Sequence, residues 1–313
     1  MFDNLILSVN AVLPLFLMMA LGFVIKQLKL FDDHTLRKMN RVAFNVFLPI
    51  LMFQNIYTGD LAASFNPKLL IYAMATVLFI FFTSFFLVKR FVKDNPTRGV
   101  LVQSQFRSNF ILFAVPALAS IYGEGNIADA GIMIAIIVPA YNMLAVITFE
   151  IFRGEKIKLK KILQGIMKNP IIIGSVLGIV FQLLHIKLPF VLESTIADLS
   201  KTATPVALVI LGGFFEFGVT KKWLKLTLAA TLSKLLLIPA IFVPISIYLG
   251  FRGVPLAALL IMYGAPVAVS SFTTALEMEG NIELANQVTI FTSLFSVFTI
   301  FVGIFVLKSF SLI

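Results

Sequence analysis

Apolar residues run along this chain in long stretches, separated by short clusters of charge. The stretch from Leu69 to Val88 holds no charged residue at all. A helix crossing a bilayer needs about 20 mostly apolar residues. Ten segments qualify: 4–25, 38–57, 67–91, 99–122, 128–151, 170–187, 194–215, 223–249, 254–276 and 284–307. Outer-membrane barrel strands would show short alternating runs instead. The pattern therefore predicts an all-α membrane protein of about ten transmembrane helices. The opening segment has no basic n-region or cleavage site, so Leu5 to Ile25 reads as a retained first helix.

Composition strengthens this reading. Of 313 residues, 59% are hydrophobic and only 13% charged, against roughly 25% charged in soluble domains. So much apolar surface cannot be hidden in one aqueous core, and lipid is the expected solvent. The chain has no cysteine and two histidines, His34 and His185. That excludes disulfides and thiolate metal sites and leaves too few ligands for a histidine-based one.

The net charge of +10 is not a nucleic-acid signal, because the basic residues cluster between spans. The first, third, fifth and seventh connections hold 18 of them, including Lys26, Arg41, Lys89, Arg153 and Lys222. The opposite side holds 4: Lys68, Lys187, Arg252 and Lys308. The odd connections are thus expected in the cytoplasm of a bacterial inner membrane, with both termini outside. Arg107, Lys201 and Lys234 fall inside predicted spans.

The chain also resembles itself at half its length. Pro14, Gly22 and Pro49 match Pro170, Gly178 and Pro205 at an offset of 156. Glu124-Gly125-Asn126-Ile127 recurs as Glu279-Gly280-Asn281-Ile282 at an offset of 155. Each half would hold five spans, and an odd number inverts the second half. Inverted repeats are an architecture of secondary transporters, with the substrate site at the midplane. The predicted units are 1–151, a linker at 152–169, and 170–313. Within each half the fourth span carries a central proline, Pro116 or Pro266. Proline removes a backbone hydrogen bond, and freed backbone groups in lipid must line a cavity or be buried in protein. Two such breaks that meet would form a central site; the alternative is two ordinary proline kinks.

Four segments carry a family resemblance. Asn40 to Phe53, read Asn-Arg-Val-Ala-Phe-Asn-Val-Phe-Leu-Pro-Ile-Leu-Met-Phe, resembles the second helix of the auxin efflux carrier family. Asn109 to Pro116, with Ile121-Tyr122-Gly123 after it, is similar to the family's fourth helix. Thr202 to Leu208 with Gly212, and Ala265-Pro266 with its Ser/Thr run, resemble the seventh and ninth. The resemblance is collinear over essentially the whole chain. It implies a five-plus-five fold like bile-acid and sodium–proton transporters, with helices 4 and 9 crossing at their prolines. Helices 1, 2, 6 and 7 would be a scaffold, and helices 3–5 and 8–10 a transport domain moving as an elevator. It also implies small organic anions as substrates, and by position it puts Asn109, Pro116 and Pro266 at the crossing. Ala114-Val115 stands where the family often has glycine before the proline. The large cytoplasmic loop of plant members is missing, so plant auxin does not carry over as substrate.

Intramembrane charges are costly and default to functional candidates. Lys201 lies one turn before Pro205 and matches Asn45, one turn before Pro49. It could pair with a substrate carboxylate, or with Asp198 as a structural bridge. The planar fork of Arg107 suits a carboxylate, but Arg98 lies only nine residues away, which favours an arginine that snorkels to the cytoplasmic interface. Lys234 reads as a structural partner or a snorkelling lysine rather than a ligand. Asn109 could hold a carboxylate or make a helix–helix hydrogen bond. Ser270 and Ser271, with Thr273 and Thr274, could bind substrate or sodium, or simply bond back to their own helix. Gln103, Gln105, Tyr141 and Asn142 are weaker polar candidates. No phosphate-binding Gly-Lys-Ser/Thr loop or enzyme constellation appears. The expectation is a secondary transporter of a small organic anion, not an enzyme, needing no cofactor beyond a Na+ or H+ coupling ion. A homodimer fits this reading. The alternatives are a sodium-coupled carrier of the same fold, or a membrane metabolite receptor, which would need an output domain not present before Ile313.

Overall fold

The computed structural model describes residues 17–58, 66–122, 128–153, 167–214 and 220–313, with Pro14 and Gln164. The described residues are helices and their connections, and no strand occurs among them. The chain runs as α1 (Leu17–Gln27), α2 (Asp33–Val42), α3 (Leu48–Tyr57), α4 (Pro67–Phe91), α5 (Asn95–Phe106), α6 (Phe110–Tyr122) and α7 (Ala128–Arg153). It continues as α8 (Pro170–Leu183), α9 (Phe190–Gly213), α10 (Thr220–Leu232), α11 (Ile238–Tyr248), α12 (Gly253–Gly264), α13 (Val269–Glu277) and α14 (Ile282–Ser309). Five of these runs are long and apolar enough to cross a membrane: Pro67–Phe91, Ile136–Arg153, Phe190–Gly213, Lys221–Tyr248 and Ile282–Ser309. The pair α12 and α13, bent by 41° at its break, makes a sixth if taken as one span.

Short polar signals set the helix starts. Asp32, Asn66, Asp94, Asn169 and Asn281 each accept a hydrogen bond from a backbone N–H of the first turn, at 2.7–3.1 Å. A proline follows within two residues at Pro67, Pro96 and Pro170, where its missing N–H costs nothing. Two prolines inside continuous helix act differently. Wide π-helical turns at Ala43–Phe47 and Ser233–Leu237 precede Pro49 and Pro239. Each proline leaves the carbonyl four residues before it without a donor, and the ladder widens locally to i→i+5. Thus α2 with α3, and α10 with α11, run on as single continuous rods.

Packing grades from lipid to centre. The outer face of α4 exposes Phe79, Phe82, Phe86 and Phe91, while every residue of α12 from Leu256 to Gly264 is buried. α1 and α9 touch backbone to backbone: a Cβ on Gly22 would lie 2.0 Å from the Val209 carbonyl oxygen, and one on Gly212 1.9 Å from that of Met19. α8 meets α3 in the same way, through Gly174 against Pro49 and Gly178 against Phe53 and Ile56. Such glycine contacts are how apolar helices approach closely where lipid removes the hydrophobic drive for association.

Candidate functional site

Two helix interruptions meet in the interior. α5 stops at Phe106 and α6 starts at Phe110, leaving Arg107, Ser108 and Asn109 non-helical. α12 stops at Gly264 and α13 starts at Val269, leaving 265–268 non-helical. The interruptions hydrogen-bond to each other: Asn109 N donates to Pro266 O at 2.7 Å, and Ser108 Oγ to Ala265 O at 3.3 Å. Each break thereby satisfies part of the other's freed backbone, as a lipid-embedded protein requires.

The second break lies at its predicted proline. The first does not: Pro116 is inside α6, seven residues past the interruption. Ser and Asn side chains compete for backbone hydrogen bonds and weaken helix. The run Arg107-Ser108-Asn109, able to pair with the second break, opens where Pro116 only removes one rung.

Arg107 is the centre of the site. It is 2% exposed and has no carboxylate partner among the described residues. Its Nη2 donates to Asn142 Oδ1 at 2.6 Å and to Ser270 Oγ at 2.8 Å. Its Nη1 donates to Thr274 Oγ1 at 3.2 Å and Gln103 Oε1 at 3.4 Å. Thr274 gives its own proton to Ser270 O at 2.7 Å, so its lone pair is free for the guanidinium. Gln103 is held by the Ser271 carbonyl at 2.9 Å. Helices α5, α7 and α13 thus converge on one guanidinium with neutral oxygens, and no acid among the described residues balances its charge.

Arg107, Asn109 and Ser270 line a cavity closed by α3, α7 and α9. It leaves about 80 Å³ for the centres of water-sized molecules, where one water needs roughly 10–15 Å³. Asn55 and Asn109 also face it, and the buried Nδ2 of each has no acceptor among the described residues. α6 and α13 both begin at this cavity, at Phe110 and Val269, so two positive helix ends stand at its wall. Leu48, Leu51, Met52 and Val138 supply the apolar side. Among the described residues no three His, Asp or Glu stand together as a metal site. A charged fork, amide donors unpaired among the described residues and two helix N-termini thus face one small cavity, a set of groups able to receive an anion.

Residues 7–304 match the family described as Membrane transport protein. This chain belongs to that family, the auxin efflux carriers. A family member from Methanothermobacter thermautotrophicus (strain Delta H), named as an uncharacterized transporter, is 23% identical over 291 residues, covering 92% of this chain and 95% of its own. The uncharacterized transporter YfdV of Escherichia coli K12 is 23% identical over 252 residues, 77% of each chain. With its apolar helices, this member of the membrane transport protein family is a multi-pass membrane transporter.

The remaining predicted site residues of this transporter lie elsewhere. Lys201 is exposed and ion-paired with Asp198 at 3.0 Å, one turn away on α9. The cavity instead sees Thr204 and Ala207 from that helix. Asn45 is exposed and bonds to the Arg41 carbonyl at 2.7 Å. It lines a separate groove between α3 and α8. Ser271 is buried one residue beyond the cavity wall, and Pro266 contributes its carbonyl to the break. Lys234 is buried and donates to Gln105 O at 3.2 Å, near the end of α5. Asn142, ranked among the weaker candidates, is a direct partner of Arg107. Asn55, Ser108 and Thr204 were not singled out. Asn55 closes a predicted span, where an asparagine reads as loop, and Ser108 and Thr204 look like ordinary small helix residues.

Proposed function

We propose that this transporter is a secondary carrier of a small organic anion, a carboxylate, held at the meeting point of the two broken helices. The observation that carries the reading is the buried guanidinium of Arg107, which has neutral partners and no acid partner among the described residues. A buried charge without a counter-charge is expensive, and a substrate carboxylate entering the cavity would supply the counter-charge. The amide donors of Asn55 and Asn109 would take its remaining lone pairs. A lining so rich in donors favours an anion over a coupling cation at this point.

The proposed architecture is ten spans in two inverted halves. They are α1, α2 with α3, α4, α5 with α6, α7, then α8, α9, α10 with α11, α12 with α13, and α14. The glycine contacts support it. Shifting by 156 residues carries the pair Gly22–Val209 onto Gly178–Phe53, with the partners exchanged between halves. A two-fold relation between halves requires such exchange. Spans 1, 2, 6 and 7 would then form the scaffold, and the others the moving elevator. The basic clusters orient the odd connections to the cytoplasm of a bacterial inner membrane.

The test is uptake of labelled malate, malonate and indole-acetate into proteoliposomes, with and without sodium or pH gradients. Arg107→Gln and Asn109→Ala are expected to lose transport with normal insertion. Lys201→Ala, on the outer face, is expected to keep it. Wild type that moves none of the three, or Arg107→Gln with full activity, would overturn the assignment.

A further inference from the structure

A second cavity lies outside the candidate site, on the lipid-facing side of α4. α4 and the α10–α11 rod touch near one end, where Tyr72 Oη donates to Phe242 O at 3.0 Å and Phe79 packs edge-on to Phe242 at 5.9 Å. Toward the other end they leave a groove of about 330 Å³. On α4 it is lined from Phe79 to Phe91, and on the facing rod from Leu226 to Phe242. Twelve helical rises make it about 18 Å long, close to half of the roughly 30 Å hydrocarbon core. Its walls are almost wholly apolar, and several wall residues, Leu87, Phe91, Leu237 and Ile241 among them, are exposed at its mouth.

The open end is strongly basic. α4 ends in Lys89 and Arg90, with Lys93 two residues beyond Phe91, and α10 begins with Lys221, Lys222 and Lys225. All six are exposed. Two acids stand nearby and both are engaged: Asp94 caps α5 through Thr97 N at 3.0 Å, and Glu283 takes Trp223 Nε1 at 2.6 Å and Lys222 at 3.9 Å. An apolar trough one leaflet long that opens under a net positive rim has the complementary charge and shape of an anionic phospholipid.

We infer that this groove is a binding site for one anionic glycerophospholipid, its acyl chain along α4 and its phosphate at the Lys89–Lys93–Lys225 rim. Neutral lipids would fill the trough equally well but gain nothing at the rim. Each basic residue near an anionic headgroup contributes about five-fold in affinity. The inference is independent of the substrate assignment, since no groove residue lines the cavity at Arg107.

The chain carries a single tryptophan, Trp223, in the first turn of α10 between Lys222 and Lys225, so its fluorescence reports a lipid held at that end of the groove. Full-length protein in neutral detergent is titrated with phosphatidylglycerol or phosphatidylcholine carrying the same dibrominated chains. The expected result is quenching of Trp223 by phosphatidylglycerol at much lower concentration. Replacing Lys89, Lys93 and Lys225 together by Gln is expected to weaken that response by about 100-fold and leave phosphatidylcholine unchanged. Ala229→Phe, filling the trough, is expected to weaken both lipids. Glycerol phosphate without chains is expected not to displace the lipid at equal concentration. Equal quenching by the two lipids in wild type, or an unchanged preference in the triple variant, would overturn the proposal. So would displacement by glycerol phosphate alone. The three lysines are exposed, so that variant tests the site even where Ala229→Phe does not fold.

Discussion

Replacing Arg107 by methionine separates a structural arginine from a ligand-binding one. The side chain makes two short hydrogen bonds, 2.6 Å to Asn142 and 2.8 Å to Ser270, and two longer ones. Bonds to a charged group contribute about 1.5–3 kcal/mol each, so the short pair gives about 3–6 kcal/mol. Against it stands the desolvation of an ion that is 2% exposed, which costs several kcal/mol. The terms nearly cancel, and methionine adapts to much of the vacated volume. Arg107→Met should therefore change the unfolding free energy by less than about 2 kcal/mol. Anion binding should suffer far more, because removing one partner of a buried pair costs about 3–5 kcal/mol, two to almost four decades in affinity. The assay is unfolding in detergent with rising malate, malonate or indole-acetate. A ligand at 100 times its Kd protects wild type by about 2.7 kcal/mol, and the variant should show no protection at that concentration. Protection of the variant to the wild-type extent would refute the reasoning. Loss of more than about 4 kcal/mol of intrinsic stability would instead make Arg107 a structural tie between α5, α7 and α13.

Gly22→Ala and Gly212→Ala each drive a Cβ to about 2 Å from a facing carbonyl oxygen and should cost about 1–3 kcal/mol in denaturation experiments. Gly264→Ala, whose Cβ would meet nothing nearer than 3.8 Å, is the sterically quiet control. Lys234→Met removes the donor to Gln105 O without touching the cavity, so turnover in liposome uptake should fall while the half-saturation concentration stays unchanged. Asp32 caps α2 through Thr35 N, and hydrogen bonding from the Thr35 side chain and then its backbone holds the Asp32 carboxyl below the ordinary 3.8. A depressed carboxyl stabilises the helix start above that value and loses the effect as pH falls below it. Protection of the Thr35 amide, taken relative to its intrinsic exchange rate at the same pH, should fall in Asp32→Ala at neutral pH, and in wild type only below about pH 3.8.

The prolines show how far local pattern reaches. Pro266 marks a real break, and Pro49 and Pro239 mark wide turns, but Pro116 sits in continuous helix. A proline guarantees one missing rung. Whether the chain opens there depends on whether another segment can take the freed groups, as Pro266 O takes Asn109 N. Charge behaves alike. Lys201, Arg107 and Lys234 look equivalent in an apolar run, yet one is exposed and two are buried.

By itself the sequence determined the solvent, the helical class and the family, and it marked Pro266 as the place of one helix break. These follow from local properties: runs of apolar residues too long for water, caps and prolines that act within one turn, and motifs read in order. Only the tertiary structure decided which cation faces a cavity. The partners of Arg107 come from Asn142 and Ser270, 35 and 163 residues away, and burial is a property of that convergence. Snorkelling keeps an arginine solvated, and enclosure becomes possible only where the fold brings oxygens to it, so its own neighbours in sequence carry no information about which occurs.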